Sequence, residues 1–214
     1  VILVKKGYAK KELQINMKHP YFILPDVLPD MVVEDIKNIV LNYEEIDGGV
    51  GGNVTLQQKA TVDNQIRRCK QRWIPPNAED TKKIHNLCTE IFEEANRRCF
   101  SVNLDRVFNM FYAEYRAEDN GYYAQHKDSN LGINGELYDR KLSMTIQLSD
   151  SAEYEGGDFV FYDDLHGWAQ PDKERIRKKG AVFVFPSFLE HGVKPVTKGI
   201  RKCFIAFIEG PAWR

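Results

Sequence analysis

Little in this chain marks it for a membrane, an oxidising compartment or a nucleic acid. It has no continuous apolar run of the ~20 residues needed to span a bilayer. The opening VILVKKGYAKK holds only four consecutive apolar residues, too few for the core of a secretion signal. Cysteine is sparse: Cys69, Cys88, Cys99 and Cys203 form no CxxC pair and no dense framework, which reads as four reduced thiols in an intracellular protein. Charge of one sign is also missing, since 30 Lys and Arg stand against 31 Asp and Glu for a net charge of −1. Nothing global therefore favours a nucleic-acid or membrane partner, and the expected location is cytoplasmic. There are no internal repeats and no low-complexity tracts. What remains is a chain of 214 residues with 43% hydrophobic, 12% aromatic and 29% charged residues, the profile of one globular domain. A coherent pattern starts at Met17, so residues 1–16 are expected to be an N-terminal extension and 17–214 the domain.

The first part of that domain is helical in period. HPYFILPDVLPD ends in a proline-bounded turn in which Asp30 is placed to cap a helix, and Val33, Ile36, Val40 and Tyr43 recur at helical spacing to about Glu45. A second amphipathic helix is predicted over 79–98, with Ile84, Leu87, Cys88, Ile91, Phe92 and Ala95 on one side. The glycines of DGGVGGN, 47–53, neither follow a strong strand nor open a strong helix, which argues for a flexible loop over a phosphate loop. From about residue 105 the pattern changes. RVFNMFYAEY, YYAQHKD, KLSMTIQLS, DFVFY, AVFVF and KCFIAFI are short aromatic and β-branched runs separated by Gly, Asp, Asn and Pro. Helices followed by six or more strands predict a mainly β fold, a sandwich or jelly roll with the helices packed on one side.

The histidines are few enough to weigh singly: His19, His85, His126, His166 and His191. His19 precedes a proline, His85 lies on the second predicted helix, and His166 sits in the polar stretch DDLHGWAQPDK, where exposure is the simpler reading. His126 differs, because Asp128 follows it two positions later and side chains at i and i+2 of a strand share a face. His191 ends the apolar run AVFVFPSFLEH. Two histidines and a carboxylate with open coordination positions form the facial triad of non-haem Fe(II) oxygenases, although three ligand types alone leave zinc and manganese open. Arg201 enters KCFIAFI, a strand apolar on both faces, and so needs an anionic partner, because an unpaired buried charge is costly. Its planar fork suits a carboxylate, either of the protein or of a small dicarboxylic acid.

In these residues the chain resembles the Fe(II)/2-oxoglutarate-dependent dioxygenases, with His126-x-Asp128, His191 and then Arg201 in the family's order. The closer resemblance is to the prolyl 4-hydroxylase-like branch and its bacterial and phage PKHD-type hydroxylases, over residues 105–210. LSMTIQLSDSAEYEGGDF, 142–159, resembles that branch's strand–turn–YxGGxF element, and NQIRRCKQRWIP, 64–75, resembles the N-terminal part of phage members. The resemblance implies a double-stranded β-helix (jelly-roll) core. It implies His126, Asp128 and His191 as Fe(II) ligands and Arg201 as partner of the distal carboxylate of 2-oxoglutarate. Tyr115 matches a tyrosine that hydrogen-bonds the co-substrate, the alternative being a core aromatic. Gln147 becomes a second polar contact if the face it shares with Lys141, Ser143 and Thr145 lines the barrel. Cys203 stands where many relatives carry serine, which weakens any hydrogen bond from that side chain.

The implied reaction consumes 2-oxoglutarate and dioxygen, with L-ascorbate as a further candidate, and hydroxylates a C–H bond with release of succinate and CO2. A prolyl residue or free proline is the implied target; a nucleobase, another amino acid or a small metabolite, or a metal-binding jelly roll without catalysis, are the alternatives. A carboxylate at position 128 favours hydroxylation over halogenation. Gly156 and Gly157 are expected to permit a bulge or sharp turn. Tyr122, Tyr123, Arg68, Arg72 and Trp73 are candidates to border a substrate opening, and KERIRKK, 173–179, reads as a solvated loop.

Overall fold

The computed structural model describes residues 20–50, 61–75, 78–129, 137–163 and 169–212. The proposed extension 1–16, His19, His166 and the glycine loop beyond Val50 lie outside them. The described elements begin with β1 (Phe22–Ile23), α1 (Asp30–Val40), β2 (Ile46–Asp47), β3 (Arg67–Arg68), β4 (Lys70–Ile74), α2 (Lys82–Ala95) and β5 (Arg106–Arg116). They continue with β6 (Tyr122–His126), β7 (Tyr138–Gln147), β8 (Tyr154–Gly156), β9 (Phe159–Phe161), α3 (Lys173–Ile176), β10 (Val182–Pro186), β11 (His191–Val193) and β12 (Val196–Pro211).

The strands form two antiparallel sheets. The larger runs β1-β10-β7-β12-β5-β4-β2, with β8 joined to β12, and the smaller runs β3-β6-β11-β9. The order follows from side-chain period. Along β12, Phe204, Ala206 and Ile208 join Met110 and Tyr112 of β5 and Leu142, Met144 and Ile146 of β7 in one core. Against that face pack Val33, Ile36 and Val40 of α1 and Ile84, Cys88, Ile91, Phe92 and Ala95 of α2. Full burial of side chains such as Phe92 and Phe204 stabilises by about 1.5–3 kcal/mol each. The alternate residues, Phe111, Ala113 and Tyr115 of β5 and Cys203 and Phe207 of β12, face the smaller sheet and form a second core with Val193 of β11 and Cys69. The jelly roll with helices on one side is therefore the observed architecture. No described helix is long and apolar enough to cross a membrane.

Three local expectations need correction. Asp30 is the first helical residue and not the cap: Pro29 occupies the cap position, no side chain caps α1, and Asp30 pairs with Lys179 at 2.8 Å. The helix stops at Val40, after which turns bonded to the carbonyls of Ile39 and Val40 carry Tyr43 back toward the core. The 173–179 stretch is exposed at Lys173, Glu174, Arg175 and Lys178, as expected, but it is not all loop. It opens with α3, capped by Asp172, and its Arg177 bonds Asp158 at 3.0 Å and the carbonyls of Tyr154 and Gly156.

Candidate active site

His126 and His191 are direct cross-strand partners at the ends of β6 and β11, with ring centroids 4.3 Å apart. Asp128 lies just past the end of β6, so strand period alone does not aim it. Its amide and that of Ser129 bond the Ser187 carbonyl, at 2.9 and 3.0 Å, which ties this turn to the end of β10. The result brings ligand atoms of all three residues within 4.8 Å of one another.

Hydrogen bonding sets what those atoms can do. Each imidazole directs Nδ1 at a backbone carbonyl, His126 to Ala124 and His191 to Leu189, both at 2.8 Å. A carbonyl only accepts, so each Nδ1 carries a proton, and in the neutral ring Nε2 then presents a lone pair. Those Nε2 atoms sit 3.4 Å from the two oxygens of Asp128. Burial by itself raises the Asp128 carboxyl, but the imidazoles of His191 and His126 more than offset this and hold it well below the usual range. Burial pushes His126 down, against the opposing pull of Asp128, which favours the neutral ring. With both rings neutral, the two Nε2 lone pairs and the Asp128 carboxylate converge, an arrangement that a metal cation satisfies. Ser143 Oγ donates to Asp128 Oδ2 at 2.7 Å, and because its single proton is so used, Ser187 must donate to Ser143 across 2.9 Å. Outer partners of this kind orient ligands and tune metal affinity.

The triad opens into a cavity of about 140 Å³ between the two sheets. Arg201, 5% exposed, lines it from β12, opposite Tyr115 on β5, with its Cζ 5.6 Å from the Tyr115 ring centre. Its guanidinium interacts with the Tyr154 side chain, and among the described residues no carboxylate pairs with it. Glycine chemistry makes the room: Gly156 and Gly157 have φ of 72° and 63°. A Cβ on Gly157 would lie 3.1 Å from Arg201 Cδ and 2.9 Å from Val196 Cγ2. The predicted sharp turn is thus present, and it lets β8 pass against the arginine stem.

Gln147 is behind this wall and not part of it. Its Nε2 donates to the Tyr154 hydroxyl at 3.2 Å and the Ser149 carbonyl at 3.3 Å, and its buried Oε1 has no hydrogen-bond partner among the described residues. Ser143 and Thr145, from the same face of β7, do line the cavity. Cys203 lines it too, its thiol reaching only the Ala113 carbonyl at 3.9 Å. All four cysteines are free.

Two of the five residues expected at the opening are found there. Trp73 and Tyr123 line the cavity, and Tyr123 stacks on His126 at 3.5 Å. Arg68, Arg72 and Tyr122 do not: Arg72 pairs with Glu45 at 3.0 Å, and the Tyr122 hydroxyl bonds the carbonyls of Asn64 and Gln65. Arg67 lines the cavity in place of its neighbour and Arg140 joins it, both missed, as was Tyr154, which meets Arg201 from outside the lining. Only Tyr154 carried a sequence signal, as the tyrosine of the YxGGxF element.

Comparison with known proteins agrees with this geometry. Residues 110–209 match the profile of the 2OG-Fe(II) oxygenase superfamily. A PKHD-type hydroxylase of Gloeothece citriformis is 26% identical over 88% of this chain and 77% of its own. One from an Azoarcus species is 34% identical over 75% of this chain and 66% of its own. In fold, the chain matches a Trichoplax adhaerens prolyl hydroxylase solved with a hypoxia inducible factor peptide, with TM-score 0.66 and 17% identity over 89% of this chain and 83% of that one. The sequence order, the converging triad and these relatives together carry one conclusion: the chain belongs to the 2OG-Fe(II) oxygenase superfamily, in its prolyl 4-hydroxylase-like branch, and is a 2-oxoglutarate-dependent dioxygenase.

Proposed function

We propose that His126, Asp128 and His191 hold Fe(II) and that Arg201 takes the distal carboxylate of 2-oxoglutarate, with the Tyr115 hydroxyl beside it. The observation that carries this reading is the buried Arg201 guanidinium on the same cavity as the triad, with only neutral partners among the described residues. A dicarboxylate reaching from metal to arginine supplies the missing counter-charge. When bound, the iron, with 2-oxoglutarate and dioxygen, supplies an oxidant able to break a C–H bond. The chain's own work is positional. Ser143 and Ser187 steady Asp128, the Ala124 and Leu189 carbonyls set the imidazole tautomers, and Phe159, Phe185 and Val193 keep the cavity wall apolar around the triad. Gln147 acts at one remove, through the Tyr154 hydroxyl that also meets Arg201.

The reaction is hydroxylation, one oxygen atom entering the target C–H bond and the other leaving in succinate, with CO2 released. A prolyl residue or free proline is the proposed target, supported by the PKHD-type and prolyl hydroxylase relatives. The test is succinate release with a proline-rich peptide set beside free proline, other amino acids and nucleic acid. Turnover is expected with a proline-containing substrate and is expected to vanish in His126→Ala and Asp128→Ala. Succinate formation that survives either substitution overturns the ligand assignment, and stimulation by nucleic acid alone overturns the target.

A further inference from the structure

The charges lining the cavity do not balance around the proposed co-substrate. Three guanidinium groups, Arg67, Arg140 and Arg201, face it with a single carboxylate, Asp128. Fe(II) brings two positive charges, Asp128 one negative, 2-oxoglutarate two negative and Arg201 one positive, which sum to zero. Arg67 and Arg140 are left over. Arg67 is only 5% exposed, and its described contacts are all neutral. Nε donates to Cys69 Sγ at 3.0 Å, both terminal nitrogens meet the Gln71 amide oxygen in its hydrogen-bonding orientation at 2.7 and 2.8 Å, and the guanidinium lies over Tyr123 and Phe111. Arg140 is similar: it bonds the Asp128 carbonyl at 3.3 Å, reaches the Asn109 amide oxygen in the corresponding orientation, and lies 4.4 Å from the Phe207 ring centre. No carboxylate pairs with either arginine among the described residues.

Their placement is as informative as their charge. Phe111 and Phe207 touch at 6.0 Å, and each carries one of the two guanidiniums on its ring. Both cations also border the metal site, Arg67 through Tyr123, which stacks on His126, and Arg140 through the Asp128 carbonyl. An apolar floor flanked by two cations beside a hydroxylating centre suits a substrate with an apolar body and an anionic end. A buried Arg67 and a half-buried Arg140 with neutral neighbours are poorly compensated until such an anion arrives, and their forks favour carboxylate geometry.

We propose that the primary substrate binds as a carboxylate, its anionic group held by Arg67 and Arg140 and its apolar body over Phe111 and Phe207. This rests on the oxygenase reading and adds the charge of the substrate to it. The carboxylate is either the terminus of a small amino acid derivative or the side chain of an acidic residue in a peptide.

Equilibrium binding separates these. Calorimetry on the full chain with Fe(II) and 2-oxoglutarate, without oxygen, compares matched pairs that differ only in charge. The pairs are N-acetylproline with N-acetylprolinamide, and a capped proline–aspartate dipeptide with its proline–asparagine counterpart. At least one acid is expected to bind about tenfold or more tighter than its amide, and which pair discriminates identifies the source of the carboxylate. Arg67→Gln and Arg140→Gln are expected to erase the preference, and Arg67→Lys to restore part of it. Absence of any acid preference, binding of neither pair, or a stronger response to a nucleoside monophosphate overturns the proposal. So does a loss of 2-oxoglutarate affinity in Arg67→Gln equal to that in an Arg201 variant, since Arg67 would then serve the co-substrate. Failure of the oxygenase reading registers separately, as no charge-transfer band on mixing Fe(II) and 2-oxoglutarate with the wild-type chain.

Discussion

Replacing Arg201 with methionine should push affinity and stability in different directions. The guanidinium is buried against the Tyr115 ring and the Tyr154 hydroxyl, with no carboxylate partner among the described residues. In the protein without 2-oxoglutarate, the substitution removes a poorly compensated buried charge and keeps most of the side-chain volume. The lost polar contact with Tyr154 costs at most about 1 kcal/mol, and the relieved desolvation opposes it. For a chain of this size 1 kcal/mol is worth about 2–4 °C, so the melting temperature should move by no more than about 4 °C. Co-substrate binding should behave otherwise. Truncating one partner of a buried, hydrogen-bonded ion pair costs about 2–5 kcal/mol, which weakens 2-oxoglutarate binding by roughly 30-fold to a few thousand-fold. Thermal melting with and without Fe(II) and 2-oxoglutarate reads both quantities, because ligand at about 100 times its Kd stabilises by ~2.7 kcal/mol. At equal ligand the upshift due to 2-oxoglutarate should fall to about a third or less in the variant. Affinity retained to within about threefold, less than ~1 kcal/mol, would refute the pairing. A large loss of stability in the ligand-free variant would instead make Arg201 a structural cation.

Three further substitutions probe the supports of the site. Ser143→Ala removes the hydroxyl that donates to Asp128 Oδ2 and should weaken metal affinity or activity by about 10–100-fold, measured by metal titration with the fold checked by circular dichroism. Gly157→Ala must hold φ near 63° and place a Cβ 2.9 Å from Val196 Cγ2. A left-handed conformation costs a non-glycine residue about 1–2 kcal/mol, so melting should fall by roughly 2–8 °C, and an unchanged melting temperature would show that the turn relaxes freely. Glu114 accepts from the Tyr112 hydroxyl at 2.5 Å and from Arg116 at 2.6 and 2.9 Å. Burial opposes its ionisation, and these two partners more than offset that and lower its pKa. A lowered folded-state pKa contributes stability above the ordinary carboxylate range that is lost as pH falls through it. Glu114→Gln should therefore cost about 1–3 kcal/mol near neutral pH and show a shallower acid loss of stability in denaturant titrations from pH 7 downward.

Much of the fold was legible because burial imposes period on sequence. The helical recurrence of Ile84, Cys88, Ile91, Phe92 and Ala95 and the alternation along β5, β7 and β12 follow from which face each element buries. Errors fell where local chemistry is ambiguous. Asp30 has the type of a cap but stands one residue inside the helix, behind Pro29. KERIRKK looks like a solvated charge run, yet Arg177 packs over the Tyr154 ring and ties down the turn before β9. No periodicity contains that information, since it depends on a partner 23 residues away in the chain.

The site divides the same way. The stretch around His126 and Asp128, the later His191 and the strand-borne Arg201 were readable from sequence alone. Residue type limits which atoms can bind a metal or a carboxylate, and spacing limits which can share a strand face. Only the tertiary structure decided that His126 and His191 meet across β6 and β11, that the Ala124 and Leu189 carbonyls leave both Nε2 atoms free to coordinate, and that Ser187 swings Asp128 into line beyond the strand. It also decided between neighbours that sequence treats alike. Arg67 faces the cavity and Arg68 does not, because a strand turns successive side chains to opposite sides and the pairing of Arg67 with Tyr123 on β6 sets which side is in.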